Sequence, residues 1–244
     1  MIKKYFSELK DLNLIIKSLD FKVVYIFLSV SIVIFLGVWL ANPLFYYNNI
    51  GQDRFDSRVY WFLLDGLIMF LIPVLSIKFI LKGKFSDYGL TLGDYKFGLF
   101  TLIGFFVFML PFLWVVSASP DFARTYPQGG SQVSESISMF LFYEFCVLIY
   151  MLGWEFLWRG YMLFGLKEKF GYYSIFIQMI PFFILHKGKP ELELFGSIIA
   201  GLAMGIQAWR SNSFIYSWIL HWLIMFSIDS ISIIREKTGF FKLF

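Results

Sequence analysis

The sequence predicts an all-α protein, a polytopic membrane bundle of about seven transmembrane helices. Three observations carry that reading. Of 244 residues, 59% are apolar and 16% charged, with a mean hydropathy of +0.70, whereas an ordinary soluble domain has roughly 45–50% and 25%. Aromatic residues make up 22%, including 32 Phe and 8 Trp, more bulky apolar surface than one water-soluble core of this length can bury. The apolar residues also fall in runs of the length that a hydrocarbon core requires, roughly 20 residues. A soluble globular protein is excluded.

The elements follow in order. Residues 2–22 mix Lys3, Lys4, Lys10, Lys17 and Lys22 with Glu8, Asp11 and Asp20; they read either as an amphipathic segment lying on an anionic membrane face or as a solvated tail. Residues 23–41, 60–81, 97–117 and the run from 137 onward are four secure spans, the first read as a retained span and not a cleaved signal. Residues 86–94, with Gly89 and Gly93 at turn positions, read as an interfacial elbow. Residues 119–136 form the longest polar loop. Three further spans follow at 172–185, 194–209 and 214–234. The middle one carries Gly196, Ala200, Gly201, Ala203 and Gly205, a small-residue pattern that predicts close helix approach and a central place in the bundle. The whole of 1–244 reads as one integral membrane domain, with a motif-bearing core at 137–234.

Positive residues concentrate in the N-terminal tail, residues 82–96, Lys167, Lys169 and Arg210. That side is expected to be cytoplasmic, with the N-terminus on it, in a multi-pass protein of the cell membrane. The net charge of +4 is scattered between apolar runs and forms no basic stripe, so no nucleic-acid partner is expected. The one cysteine, Cys146, can form neither a disulfide nor a thiolate zinc site within the chain.

Ionisable groups inside spans cost about 2.5–3.5 kcal/mol each on insertion scales and mark function by default. Here they are Asp65, Glu144, Glu155, Arg159, His186, His221 and Asp229. Glu155 and Arg159 are four apart, on one helical face and able to pair. Glu144 lies three turns before Glu155, so both carboxyls project from the same side. With a turn at Phe170-Gly171, Glu155 and His186 stand at equal depth in an antiparallel hairpin, roughly 22 Å from the turn, and are expected to face each other. His221 is expected about 10 Å off that level. The segment Lys187-Gly188-Lys189-Pro190-Glu191-Leu192-Glu193 breaks the helix where lipid tolerates irregular backbone only beside protein or a wet cavity.

Glu155-Phe156-Leu157-Trp158-Arg159-Gly160, Phe182-Phe183-Ile184-Leu185-His186 and His221, in that order on successive spans, resemble the CPBP family of intramembrane proteases. That family includes type II CAAX prenyl endopeptidases and lysostaphin resistance protein A-like proteins. Its pattern is E-E-x-x-x-R, F-x-x-x-H and H-x-x-x-N, with a weaker echo here in Asp87-Tyr88-Gly89-Leu90. The resemblance implies that the first Glu and first His activate water for attack on a peptide bond, while the second His and the Asn stabilise the oxyanion. Glu155 matches the second Glu, Arg159 the Arg, His186 the first His and His221 the second. Trp154 stands in place of the first Glu and Met225 in place of the Asn.

Implied, therefore, is an endopeptidase acting on membrane-anchored peptides or proteins in a lipid environment, without a cofactor. Its catalytic candidates are Glu155, His186, His221 and Glu193, with Arg159 as a structural ion. The base is Glu155 in the first instance and Glu193 in the second. A metal such as zinc on Glu155, His186 and His221 ranks third. The alternative is a catalytically impaired member serving as a membrane immunity or regulatory scaffold, which Trp154 and Met225 favour. A transporter using the buried carboxyls and histidines lacks the expected repeat. Oligomeric state and substrate are not encoded in these motifs.

Overall fold

The computed structural model describes residues 14–239, so most of the amphipathic 2–22 segment lies outside the described residues. Among the described residues, six helices are long and apolar enough to cross a membrane and a seventh apolar helix is shorter, in line with the sequence. They are α1 (Phe21–Trp39), α2 (Arg54–Leu75), α3 (Tyr95–Val116), α4 (Ile137–Glu155, running on through a π-helical stretch Phe156–Met162 into Leu163–Phe170), α5 (Tyr173–Ile184), α6 (Glu191–Ser211) and α7 (Ile215–Thr238).

Local chemistry sets the boundaries. The side chains of Asp20, Asp53, Asp94 and Ser136 each accept a hydrogen bond from a first-turn N–H of α1, α2, α3 and α4, satisfying donors that lipid would leave unpaired. Asn212, at φ 55°, closes α6 in the left-handed conformation. Helices α2 and α6 begin before their apolar runs because a capped or acidic first turn is helical without being apolar. Glu191 and Glu193 thus stand in the first turn of α6, where the helix dipole favours them, and the irregular stretch after His186 is shorter than the sequence suggests, ending at Pro190.

The bundle is organised around α4, which packs against α2, α5 and α7. Its approach to α2 is limited by two glycines. A Cβ on Gly153 would lie 2.0 Å from the Gly66 carbonyl oxygen, and one on Gly66 would lie 2.8 Å from the Tyr150 Cα. Lipid faces are continuous stripes, such as Leu28, Ile32, Phe35 and Trp39 of α1, spaced three or four apart.

Helix α6 is not central. Leu192, Phe195, Ile199 and Ile206 are exposed along one side. Its small residues instead admit α5: a Cβ on Gly201 would meet Met179 and Phe182, and one on Gly205 would meet Gln178. Small-residue spacing reports one close neighbour, which a helix at the periphery can also have.

Residues 86–94 form the expected elbow, fastened to the α6–α7 turn. Asp94 N–H donates to the Ser211 carbonyl at 2.8 Å, Phe214 N–H to that of Gly89 at 3.2 Å, and Tyr216 Oη to that of Leu92 at 2.7 Å. The long 119–136 loop folds inward: Tyr126, Gln128 and Val133 are buried, and the Gln128 carbonyl accepts from Arg54 Nε at 2.9 Å.

The α2–α4 contact makes a prediction. Gly153→Leu drives a side chain into backbone, so it should destabilise the protein by about 3 kcal/mol or more, read as a lower melting temperature in detergent. Gly104→Ala, where a Cβ meets nothing within 4 Å, should leave melting unchanged or slightly raised.

Candidate active site

The site lies where α4, α5 and α7 meet. Glu155, the last residue of the α-helical part of α4, is fully buried. Its Oε1 accepts from Arg159 Nη1 at 3.1 Å and lies 2.6 Å from His221 Nδ1. Arg159, also fully buried, sits within the π-helical stretch, a geometry that recurs at functional sites. Its guanidinium carbon lies 3.8 Å from the ring centroid of Phe182 on α5, so the cation is held between a carboxylate and an aromatic face.

His186 follows the end of α5. Its Nδ1 lies 2.7 Å from the Phe182 carbonyl oxygen. A carbonyl can only accept, so Nδ1 carries the proton and Nε2 is left with a lone pair. The histidine ring reaches back one helical turn to this backbone oxygen, which any residue at 182 would supply. The His221 ring lies 6.5 Å from that of His186, centroid to centroid, at an interplanar angle of 13°. The oxygen that faces His221 Nδ1 also accepts from Arg159, so Nδ1 is likewise the donor and Nε2 the acceptor.

The partnership differs from the sequence expectation by one residue. Trp154, not Glu155, packs edge-on against His186, at 5.7 Å and 79°, and Glu155 turns to His221. Successive helical residues point roughly 100° apart, and equal depth on a hairpin does not decide which of two neighbours faces the partner helix. The 10 Å offset expected for His221 is closed, since its ring meets Glu155 directly. Glu144 shares the α7-facing side of α4, as its spacing predicts, and its carboxyl faces that of Asp229. Met225 is buried and supplies no donor.

The structure brings Glu155, Arg159, His186 and His221 together. It places Glu193 in a neighbouring cluster, where the Tyr126 hydroxyl lies 2.8 and 2.7 Å from its two carboxylate oxygens and Lys189 Nζ lies 3.8 Å from Oε1. Among the described residues, no hydrogen bond or ion pair joins Glu193 to Glu155, His186 or His221. Tyr126 was invisible to motif reading; it sits in a loop of unremarkable polar composition, with no spacing to single it out. Phe182 was legible as a motif letter but not as the wedge between Arg159 and His186.

Several polar atoms of this stretch of α4 meet no protein partner: Trp154 Nε1, Glu155 Oε2, Trp158 Nε1, and Arg159 Nε and Nη2. Unpaired buried polar atoms are costly, and here five of them fall on one turn and a half of helix; Glu144, Asp229 and Ser232 hold a second such group. As for a metal, no three His, Cys, Asp or Glu side chains among the described residues are grouped to hold one, and Glu155 Oε1 is already committed to two nitrogen partners. The trio does not fit a zinc centre.

Comparison with known proteins agrees with the motifs. No curated protein and no solved structure matches the chain. Residues 136–227, which hold all four of the converging side chains, match the family model described as Type II CAAX prenyl endopeptidase Rce1-like, and the motif-bearing part of this multi-pass membrane protein is thereby recognised as of the CPBP, or CAAX protease, family.

Proposed function

We propose that the protein is an intramembrane endopeptidase that hydrolyses a peptide bond of a membrane-anchored substrate, with the Glu155–His221 pair activating water. The observation that carries this reading is the 2.6 Å contact between Glu155 Oε1 and His221 Nδ1. A carboxylate on Nδ1 fixes the tautomer and ring orientation and stabilises the imidazolium that forms when Nε2 accepts a proton. His221 Nε2 takes a proton from water, the oxygen adds to the carbonyl carbon, the C–N bond breaks, and the proton passes to the departing nitrogen. His186 Nε2, a second acceptor in the same cluster, orients the water. The unpartnered N–H groups of Arg159, Trp154 and Trp158 are donors of the kind that stabilise charge on the carbonyl oxygen.

Glu155 then acts through His221 and not by direct contact with water, which accommodates Trp154 at the position that the family motif gives to a glutamate. Arg159 holds the carboxylate in place. The N-terminus is proposed to be cytoplasmic, with the Lys-rich connections on that side.

A second reading, a membrane immunity or regulatory scaffold, is favoured by the packing of Trp154 against His186 and by the closed state of the site, with Glu155 and Arg159 fully buried. Cleavage of a quenched, lipid-anchored peptide library by purified protein in detergent separates the two. Turnover that falls on the order of 10²-fold or more in both Glu155→Gln and His221→Ala is expected of the protease. A well-folded wild type that cleaves nothing, with a cellular function that survives Glu155→Gln, contradicts it.

Stability gives an independent check on the ion pair. Arg159→Met should cost about 3–5 kcal/mol because it leaves a buried carboxylate without its cation. Glu155→Gln added to Arg159→Met should recover part of that loss, measured by denaturation in detergent. Purely additive losses would show that the two side chains do not depend on each other.

A further inference from the structure

The turn that presents His186 has little regular backbone to hold it. Helix α5 ends at Ile184 and α6 begins at Glu191, and between them Gly188 stands at φ 92°. The turn is closed by the hydrogen bonds His186 N–H to the Phe183 carbonyl, Lys187 N–H to Ile184 and Lys189 N–H to His186, each 3.0–3.1 Å. Irregular backbone of this kind at membrane depth needs protein around it.

That protein comes from the 119–136 loop. Tyr126 is 3% exposed, and its one hydroxyl proton is shared between the two oxygens of Glu193, at 2.8 and 2.7 Å. Lys189 Nζ donates to the same hydroxyl oxygen at 3.0 Å and lies 5.0 Å from the ring centroid. Lys189 is the last residue of the turn that begins with His186, and Glu193 is one helical turn further on. Burial, and then the charge of Glu193, push the Tyr126 hydroxyl well above its ordinary range, so it remains a donor. The loop is in turn fixed to the bundle: Gln128 accepts from Arg54 and Arg58, and Gly129 N–H donates to Tyr143 Oη at 3.2 Å.

We infer that Tyr126 is a positioning residue for His186, acting through a clamp in which its hydroxyl ties Lys189 and Glu193 together and so fixes the turn that carries the imidazole. Glu193 is the anchor of this clamp. The loop between α3 and α4 thereby becomes part of the site, although Tyr126 lies outside the 136–227 segment that matches the family model. The inference rests on the proposed role of His186, and its test is independent of turnover.

The probe is diethylpyrocarbonate, which acylates imidazole, applied to the full-length protein in detergent micelles and read by mass spectrometry as the ratio of His186 to His221 modification rates. His186, 8% exposed, should be slow in the wild type. Tyr126→Phe, which keeps the ring, and Glu193→Ala should each raise the ratio on the order of 10-fold, the scale expected from losing a hydrogen bond to a charged group. Glu193→Gln keeps an acceptor for the hydroxyl and should stay near the wild-type ratio. If Tyr126→Phe does not give a folded sample, Glu193→Ala and Lys189→Met carry the same comparison. Ratios equal to wild type in folded clamp variants overturn the inference, whether or not the protein cleaves peptides. Where cleavage is measurable, Tyr126→Phe should lower kcat about 10-fold with KM within about 2-fold; a change confined to KM also overturns it.

Discussion

Everything at the centre of this bundle depends on one carboxylate. Glu155 is withdrawn completely from solvent and lipid, and it is tolerable there because Arg159 and His221 converge on a single oxygen. Removing a charge from water costs several kcal/mol after relaxation, so the pair is an expensive way to hold helices together. The same carboxylate is well placed to fix the tautomer of an imidazole. The surrounding features serve that placement: the π-helical stretch seats Arg159 on α4, the Gly66–Gly153 approach brings α2 against the helix just before Glu155, and Phe182 separates Arg159 from His186 while lending each an aromatic face.

The consequence for chemistry lies in a rotation of one residue. A glutamate at 154 would stand against His186, where Trp154 now stands. With an indole there, the only carboxylate among the described residues that bonds either histidine is the one behind His221. The proposed mechanism moves the base from a carboxylate in contact with water to an imidazole backed by a carboxylate, a change that keeps the donor and acceptor inventory sufficient without requiring the missing glutamate. Met225 lacks a useful donor, and in the proposed reaction developing negative charge falls to Trp154 Nε1, Trp158 Nε1 and Arg159 Nε and Nη2, which have no protein partner.

Much of this is legible in the sequence alone. Hydropathy located all seven helices, because the lipid requirement is a matter of length and composition. The cost of intramembrane charge singled out Glu155, Arg159, His186 and His221. What escaped was angular and long-range. Rotation about a helix axis decides between Trp154 and Glu155, and depth alone cannot supply it. The small residues of α6 record a close neighbour but not a central position. Tyr126 approaches Lys189 and Glu193 from more than sixty residues away, across a loop whose sequence carries no periodicity. Glu193 is a candidate base in the sequence because the stretch around it reads as a helix break; the acidic first turn of α6 absorbs part of that break, and the remainder is covered by the loop.

Nitrogen-15 NMR of the imidazoles, in protein labelled at histidine, reads whether Glu155 fixes His221 with its proton on Nδ1. The chain has only 2 histidines, so replacing one assigns the other. Both rings should carry the Nδ1–H tautomer at neutral pH, and Glu155→Gln should alter the His221 Nδ1 resonance while leaving that of His186 nearly in place. A His221 ring with its proton on Nε2, or one whose nitrogens do not respond to Glu155→Gln, would contradict that role of Glu155.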